Sequence, residues 1–512
     1  MLNLAHFLDV AAKRHGDRTA VLLDQIRLSY AELAALARKT ACILGDFGVG
    51  RGDRVAMMIP NTPHFPVIYY GILRRGAVVV PVNVLFQEEE ILHYLNDSGA
   101  KVLFAFKMFE EPARRAFARA PGCGRLVIVS TPDDLAKPEV GDNFMTLLGA
   151  ADGRCDIEQT MPDDTAVILY TSGTTGSPKG AELTHFNMFF NAYLASREIV
   201  RCMPEDVFLA VLPLFHSFGQ TCVMNAAILS GAAVTMLPRF ETGRALEVIA
   251  RDRVTVLAMV PTMYFFLLNL PQWADYDLSS VRIAISGGAA LPEDVHRQFR
   301  ERYGITLQEG YGLSETSPVA SFTSADEAVR VGSIGRPVWG VEMGIMLDEG
   351  GLAKAGETGE IVIRGHNVMK GYLNSPKATA AAIVDGWFHT GDIGRQDADG
   401  FFYILDRKKD LIIRGGMNIY PREIEEVLYQ HPAVREASVV GIPDRIRGEE
   451  VKVYVSAKEG ETLSPGEIRA FLEKRIARYK WPREVEVLED LPKGPTGKIL
   501  KRELKQRGAE QD

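Results

Sequence analysis

The chain has 512 residues, more than a single core ordinarily serves, so two or more domains are expected. Its 46% hydrophobic and 24% charged residues are ordinary for a globular protein, and a formal net charge of -8 leaves no broad basic surface for nucleic acid. Five widely spaced cysteines, Cys42, Cys123, Cys155, Cys202 and Cys222, form no C-x-x-C pair; this argues against a disulfide scaffold or zinc site and fits a reducing cytoplasm.

In chain order, residues 1–9 place apolar groups at helical spacing but acquire charge too soon for a secretory signal. Short apolar runs at 54–59, 77–82, 100–104 and 126–129 then alternate with helical patterns, as in largely parallel α/β sheets. An apolar strand over 165–169 runs straight into Tyr170-Thr171-Ser172-Gly173-Thr174-Thr175-Gly176-Ser177-Pro178-Lys179-Gly180. Three glycines, five serine or threonine hydroxyls and a lysine within eleven positions make a loop suited to phosphate. The usual nucleoside-triphosphate spacing fails, because Pro178 stands where the second glycine belongs.

Residues 207–238 carry no formal charge and are long enough to cross a bilayer. Pro213, His216, Ser217, Gln220, Asn225, Ser230 and Gly231 interrupt them, so a buried strand, a loop and a core helix are predicted instead. Another strand is read at 281–285. From about Gly332 the sequence becomes glycine-rich and strand-dense, with turns at 348–351 and 399–400, which predicts an antiparallel or barrel-like subdomain.

Five consecutive charges, Asp406 to Asp410, then separate two apolar runs, and by local sequence alone they also fit a solvated hairpin tip. The last hundred residues have their own α+β pattern: a proline-led helix at 421–430, strands at 436–441 and 450–457, and a helix at 464–478 opened by a Ser464/Glu467 capping box. The expected division is an α/β N-terminal domain over 1–406 and a small α+β C-terminal domain over 407–512.

Four further signals lie at 212–219, 308–316, 387–392 and 491–499. Singly each has a plain structural reading: His216 a hydrogen-bonded core histidine, Tyr311 a packed aromatic, Asp392 a helix or turn cap, Lys498 a solvated tail charge. Together with the phosphate loop, in this order and at these separations, they resemble the adenylate-forming superfamily of acyl- and aryl-CoA synthetases, peptide-synthetase adenylation domains and beetle luciferases. The resemblance runs from the first helix to Lys498. Residues 215–225 are most similar to bacterial fatty-acid-CoA ligases.

The resemblance implies an ATP-dependent, Mg²⁺-assisted acyl-CoA synthetase for a medium- or long-chain fatty acid, working through an acyl-adenylate and then coenzyme A. An aryl-acid-CoA ligase, or an acyl-AMP ligase loading a carrier protein, is the alternative. Thr171, Ser172, Gly173, Thr174, Thr175, Gly176 and Lys179 would embrace the β- and γ-phosphates, and Glu315 with Ser172 would hold the metal, which prefers hard oxygens. Gly288, Ala289 and Ala290 with Glu309, Gly310 and Tyr311 look like the adenine pocket, Gly312, Ser314 and Asn418 like further nucleotide contacts, and Asp392 with Arg407 like the ribose pair.

His216 would sit beside the acyl carboxylate, and Lys498 would bridge that carboxylate and the α-phosphate as negative charge accumulates. Lys409 matches a hinge about which the small domain rotates, presenting Arg414, Gly415 and Gly416 to coenzyme A. Phe218, Thr221, Met224, Met259, Thr262 and Phe266 are the expected acyl-pocket walls. Ile413 departs from the lysine that many aryl-CoA ligases carry there. A cytoplasmic location without stable membrane insertion is expected, and a homodimer is compatible with the family.

Overall fold

The structure, a computed structural model, describes residues 2–131, 134, 136, 138–171, 178–323, 327–494 and 497–509. Ser172, Gly173, Thr174, Thr175 and Gly176 of the predicted phosphate loop lie outside the described residues.

Two large sheets form the body. In the first, Arg54–Met58 pairs in parallel with Val78–Pro81 on one side and Val102–Phe106 on the other, and Arg125–Val129 lies beyond. Thr165–Thr171 joins Val78–Pro81 in parallel, and Lys179–Thr184 turns back antiparallel on it. Helices cover both faces of such strands, which is why they read as unbroken apolar runs rather than alternating ones. Val78–Pro81 is buried at every position.

The second sheet sets Val207–Ala210, Val256–Met259, Ile283–Ser286 and Leu307–Gly312 in parallel order, then reverses at Val319–Phe322. The uncharged segment 207–238 forms the anticipated strand, Val207–Ala210, and helix, a π-helical turn Gly219–Asn225 running into Ala226–Ser230, and adds a second strand, Ala233–Met236, that was not anticipated. No helix among the described residues is long and apolar enough to cross a membrane.

Between residues 332 and 407 the strands are antiparallel, as read from the turns: Val341–Met346, Thr358–Gly365, Trp387–Gln396 and Phe402–Arg407 pair in sequence. Among the described residues no ladder joins the first of these to the last, so this sheet is open.

A fourth sheet, with Ile412–Arg414, Met417–Ile419, Val434–Asp444, Gly448–Ala457 and Glu484–Val487, has its own core of Ile412, Ile419, Ile424, Leu428, Val439, Val453, Ile468 and Leu472. The predicted helix at 464–478 is shorter, Pro465–Glu473, and only half of its capping box forms. Ser464 accepts the Glu467 backbone N–H, but the Glu467 carboxylate lies 3.6 Å from His431 Nε2, across to a neighbouring element.

One buried side chain ties the two large sheets together where it matters. Asn61, 3% exposed, follows the strand Arg54–Met58. Its amide donates to the carbonyls of Ala210 and Leu212, both at 2.9 Å, and its oxygen accepts the Leu214 N–H at 2.9 Å. The backbone leading to His216 is thereby held by a residue from the other sheet, and its buried polar groups are satisfied without water. Asn61→Leu strands two carbonyls and one N–H in the core and should cost roughly 3 kcal/mol or more. The check is the urea midpoint of the body; an unchanged midpoint would show that this bridge carries no stability.

Candidate active site

His216 begins the short helical entry to Gly219–Asn225. Its Nδ1 accepts the Phe218 backbone N–H at 3.3 Å, which leaves the ring proton on Nε2. Desolvation, with the nearby Lys498 charge, pushes the imidazole down to about 4, so at neutral pH it is an uncharged donor. Ser217 Oγ lies 3.4 Å from Ser314 Oγ, which joins this turn to the segment after Leu307–Gly312.

Glu315 is nearly buried and sits in that same segment. One of its oxygens accepts Thr171 Oγ1 at 2.9 Å and the Tyr372 hydroxyl at 3.0 Å. Lys179 Nζ stands 5.6 Å from the Tyr372 ring centroid, so a cation, a carboxylate and two hydroxyls meet at the ends of the strands that flank the predicted phosphate loop. Hard oxygen donors with one carboxylate suit Mg²⁺, which keeps several waters and takes phosphate oxygens. Among the described residues no three His, Cys, Asp or Glu side chains group closely enough to hold a metal unaided. Tyr372 was missed from sequence; nothing local marks it.

Asp392 and Arg407 face each other as paired strand residues, with Arg407 Nε 3.0 Å from Asp392 Oδ1. The other Asp392 oxygen accepts the Tyr311 hydroxyl at 2.5 Å. Burial and this carboxylate hold the Tyr311 phenol far above its ordinary range, so it stays a donor.

Glu309 accepts the Leu291 N–H at 3.3 Å. Burial raises its carboxyl to about 7, against the pull of Arg422. Gly310 and Gly312 are glycines for space: a Cβ at 312 falls 1.7 Å from the Pro318 carbonyl oxygen, and one at 310 falls 2.7 Å from the Phe322 ring. Gly288 has φ +80°, which turns the chain sharply after Ile283–Ser286 and before Ala289 and Ala290.

Lys498 comes from the small lobe and enters this neighbourhood. It keeps accessible surface, yet desolvation, and after it the Arg407 guanidinium, push its ammonium down to about 8; Lys409 acts in the same sense and Asp392 against it. Lys408, Lys409 and Asp410 form the single turn between Phe402–Arg407 in one sheet and Ile412–Arg414 in another. Lys409 is exposed, and its carbonyl accepts from Lys505 Nζ at 3.3 Å. Gly415 and Gly416, with φ +58° and +81°, make the two-residue turn of the hairpin between Ile412–Arg414 and Met417–Ile419.

Three expectations meet a different arrangement. Arg414 is turned into the small lobe: its Nε lies 2.8 Å from Glu450, and its Nη1 donates to the Tyr479 and Trp481 carbonyls, so its guanidinium is already spent on fold contacts. Thr221, Met224 and Met259 have no accessible surface, and Thr221 Oγ1 lies 4.0 Å from Met188 Sδ; they are packed core in this arrangement rather than walls of an open cavity. Phe218 and Thr262 are half-buried, Phe218 against Gly287, and the Thr262 hydroxyl donates to the Gly497 carbonyl at 3.3 Å. Asn418 lies exposed on the small-lobe hairpin, paired in register with Ile413.

Comparison with known proteins identifies the family. A family model described as AMP-binding enzyme matches residues 8–373, and one described as AMP-binding enzyme C-terminal domain matches residues 423–498. The chain is 39% identical to a long-chain-fatty-acid–CoA ligase of Bacillus subtilis (strain 168), over 98% of this chain and 94% of that one. It is 38% identical to a feruloyl-CoA synthase of Amycolatopsis sp, over 97% of each. The crystal structure of the anthranilate CoA ligase AuaEII in complex with anthranoyl-AMP superposes with a TM-score of 0.93 at 26% identity, covering 99% of this chain and 98% of that one. The chain belongs to the AMP-binding enzymes, the adenylate-forming superfamily.

Proposed function

We propose that this protein is an ATP-dependent acid–thiol ligase that activates a carboxylic acid as its acyl-adenylate and passes the acyl group to coenzyme A. The observation that carries the reading is the convergence of Lys498, from the small lobe, with His216, Asp392 and Arg407 of the large one. The acid's carboxylate attacks the α-phosphorus of ATP, the bond to pyrophosphate breaks, and pyrophosphate leaves. The coenzyme A thiol then attacks the acyl carbon, AMP departs, and the thiol proton is released.

Such chemistry is mostly positioning and charge stabilisation. Lys498 supplies a cation between carboxylate and α-phosphate, and neutral His216 offers its Nε2–H to the carboxylate. Asp392 and Arg407 moor the ribose, while Lys179 and Thr171 meet the phosphates. Glu315, whose carboxylate also gathers the Thr171 and Tyr372 hydroxyls, would hold Mg²⁺, which would supply charge neutralisation for the phosphates. Rotation about Lys409 then withdraws Lys498 and admits the thiol.

For the acid, the proposal is a medium- or long-chain fatty acid, supported by the 39% identity to the Bacillus fatty-acid ligase. An aryl acid is the second reading, favoured by the feruloyl relative and by the closed packing around Thr221, Met224 and Met259. Free coenzyme A as acceptor, a cytoplasmic location and the two-domain division near residue 407 belong to the same proposal. Saturated acids from acetate to palmitate, with benzoate and ferulate alongside and pyrophosphate as readout, separate the two readings: faster turnover of the aryl acids would reject the aliphatic assignment.

Lys498→Ala should slow pyrophosphate release by about 100-fold or more while thioester formation from supplied acyl-adenylate persists. Equal loss in both half-reactions contradicts the role. Lys409→Pro should do the reverse, since proline stiffens the turn on which rotation depends; normal overall turnover in that variant rules the hinge out. A pH profile tests the cation itself. With its pKa lowered to about 8, Lys498 is charged below that pH and neutral above it, so kcat/KM for adenylation should fall as pH rises through about 8. Lys498→Arg should move that limb upward; a limb that stays in place belongs to another group.

A further inference from the structure

The expected role of Thr262 was an acyl-pocket wall, but its hydroxyl is directed elsewhere. Pro261–Leu268 starts just past the strand Val256–Met259, with proline at its first turn. Thr262 Oγ1 donates to the carbonyl of Gly497, the residue before Lys498, at 3.3 Å. Gly497 has φ +79°, and a Cβ there would stand 3.0 Å from Thr262 Oγ1 and 3.5 Å from Val260. Only glycine combines that backbone angle with this close approach.

One helical turn further on the same face, the Phe266 ring lies 5.9 Å from the Lys493 ammonium, at the other end of the Lys498 loop. The loop is itself braced. Gly494 N–H donates to the Lys498 carbonyl at 2.8 Å, Gly497 N–H donates to the Gly494 carbonyl at 2.9 Å, and Lys493 bridges to Ile499. Lys493 is further anchored in the small lobe by Glu436 at 3.0 Å and Asp490 at 2.6 Å. Gly494, Gly497 and Lys498 are thereby tied to one another and, through Lys493, to the small lobe; Thr262 meets Gly497, and the Phe266 ring faces Lys493.

We propose that the Thr262–Phe266 face is the docking surface that sets Lys498 for the adenylation half-reaction, with Thr262 a positioning residue acting through the Gly497 carbonyl. The inference rests on the adenylation reading given above. Because both contacts cross between the lobes, they exist only while Lys498 is engaged. They break when the small lobe turns away, so the thioester-forming step does not use them.

The experiment compares Thr262→Val, which keeps shape and removes the hydroxyl, with Thr262→Ser, which keeps the hydroxyl. Each is measured as pyrophosphate release and, separately, as thioester formation from supplied acyl-adenylate. Thr262→Val should lower the adenylation kcat about 5-fold, the worth of one modest hydrogen bond, with the acid KM unchanged and the second step at the wild-type rate. Thr262→Ser should recover most of that loss.

A raised acid KM at unaltered kcat would restore Thr262 to the acyl pocket and overturn the proposal. Equal slowing of both half-reactions would mark a general structural defect, and an unaltered adenylation rate would show that the contact is idle; either outcome also overturns it. Wild-type protein that releases no pyrophosphate with any acid removes the adenylation reading itself and this inference with it, whereas an active wild type beside an unaffected Thr262→Val removes the inference alone.

Discussion

Like charges drawn together without enough counter-charge are the constraint on which this site depends. Lys498, Arg407 and Lys409 each bring positive charge into one neighbourhood, while Asp392 already serves both Arg407 and Tyr311. Desolvation and these neighbours together depress the lysine pKa. A polyanion placed there would relieve the repulsion, and its negative charge would draw Lys498 back to the charged form. On the adenylation reading proposed above, a triphosphate bound there would couple its binding energy to the small lobe, which carries Lys498.

The fold supports this with polar bridges that cross between elements far apart in sequence. Asn61 reaches from one large sheet to the backbone before His216, Thr171 reaches from the phosphate-loop strand to Glu315, and Tyr311 reaches from one sheet to Asp392 in another. Each bridge satisfies buried polar groups that would otherwise oppose folding, and each removes freedom from the residues it joins. The lobe junction is the opposite case. It is a short turn in which Lys409 is exposed and gives its carbonyl to Lys505, while Lys408 beside it pairs with Asp348 and Glu360.

The alternation of apolar runs and helices was legible because parallel strands buried on both faces must be apolar throughout, and the uncharged 207–238 segment was separable from a membrane span by its interrupting polar residues. His216, Glu315, Tyr311, Asp392 and Lys498 were legible as motif members. Tyr372 and Asn61 were not, because each acts through one long-range bond that leaves no local pattern. Arg414 and Thr262 were legible as positions but not in direction: a cation next to a glycine turn and a small residue near an apolar helix say nothing about where their polar atoms point. Met224 and Met259 illustrate the same limit, since an apolar side chain suits a pocket wall and a packed core equally well.

From sequence alone came the layered α/β body, the strand-rich region after residue 332, the small terminal unit and the order of the chemical motifs. These depend on composition, periodicity and turn chemistry, which are written locally along the chain. Only the tertiary structure decided which motifs meet, that Arg414 is consumed by Glu450 and two carbonyls, and that the Thr262 hydroxyl faces the Lys498 loop. Those outcomes turn on hydrogen-bond direction and packing between residues more than two hundred positions apart in the case of Thr262 and Gly497, and such interactions leave no trace in any local stretch of the chain.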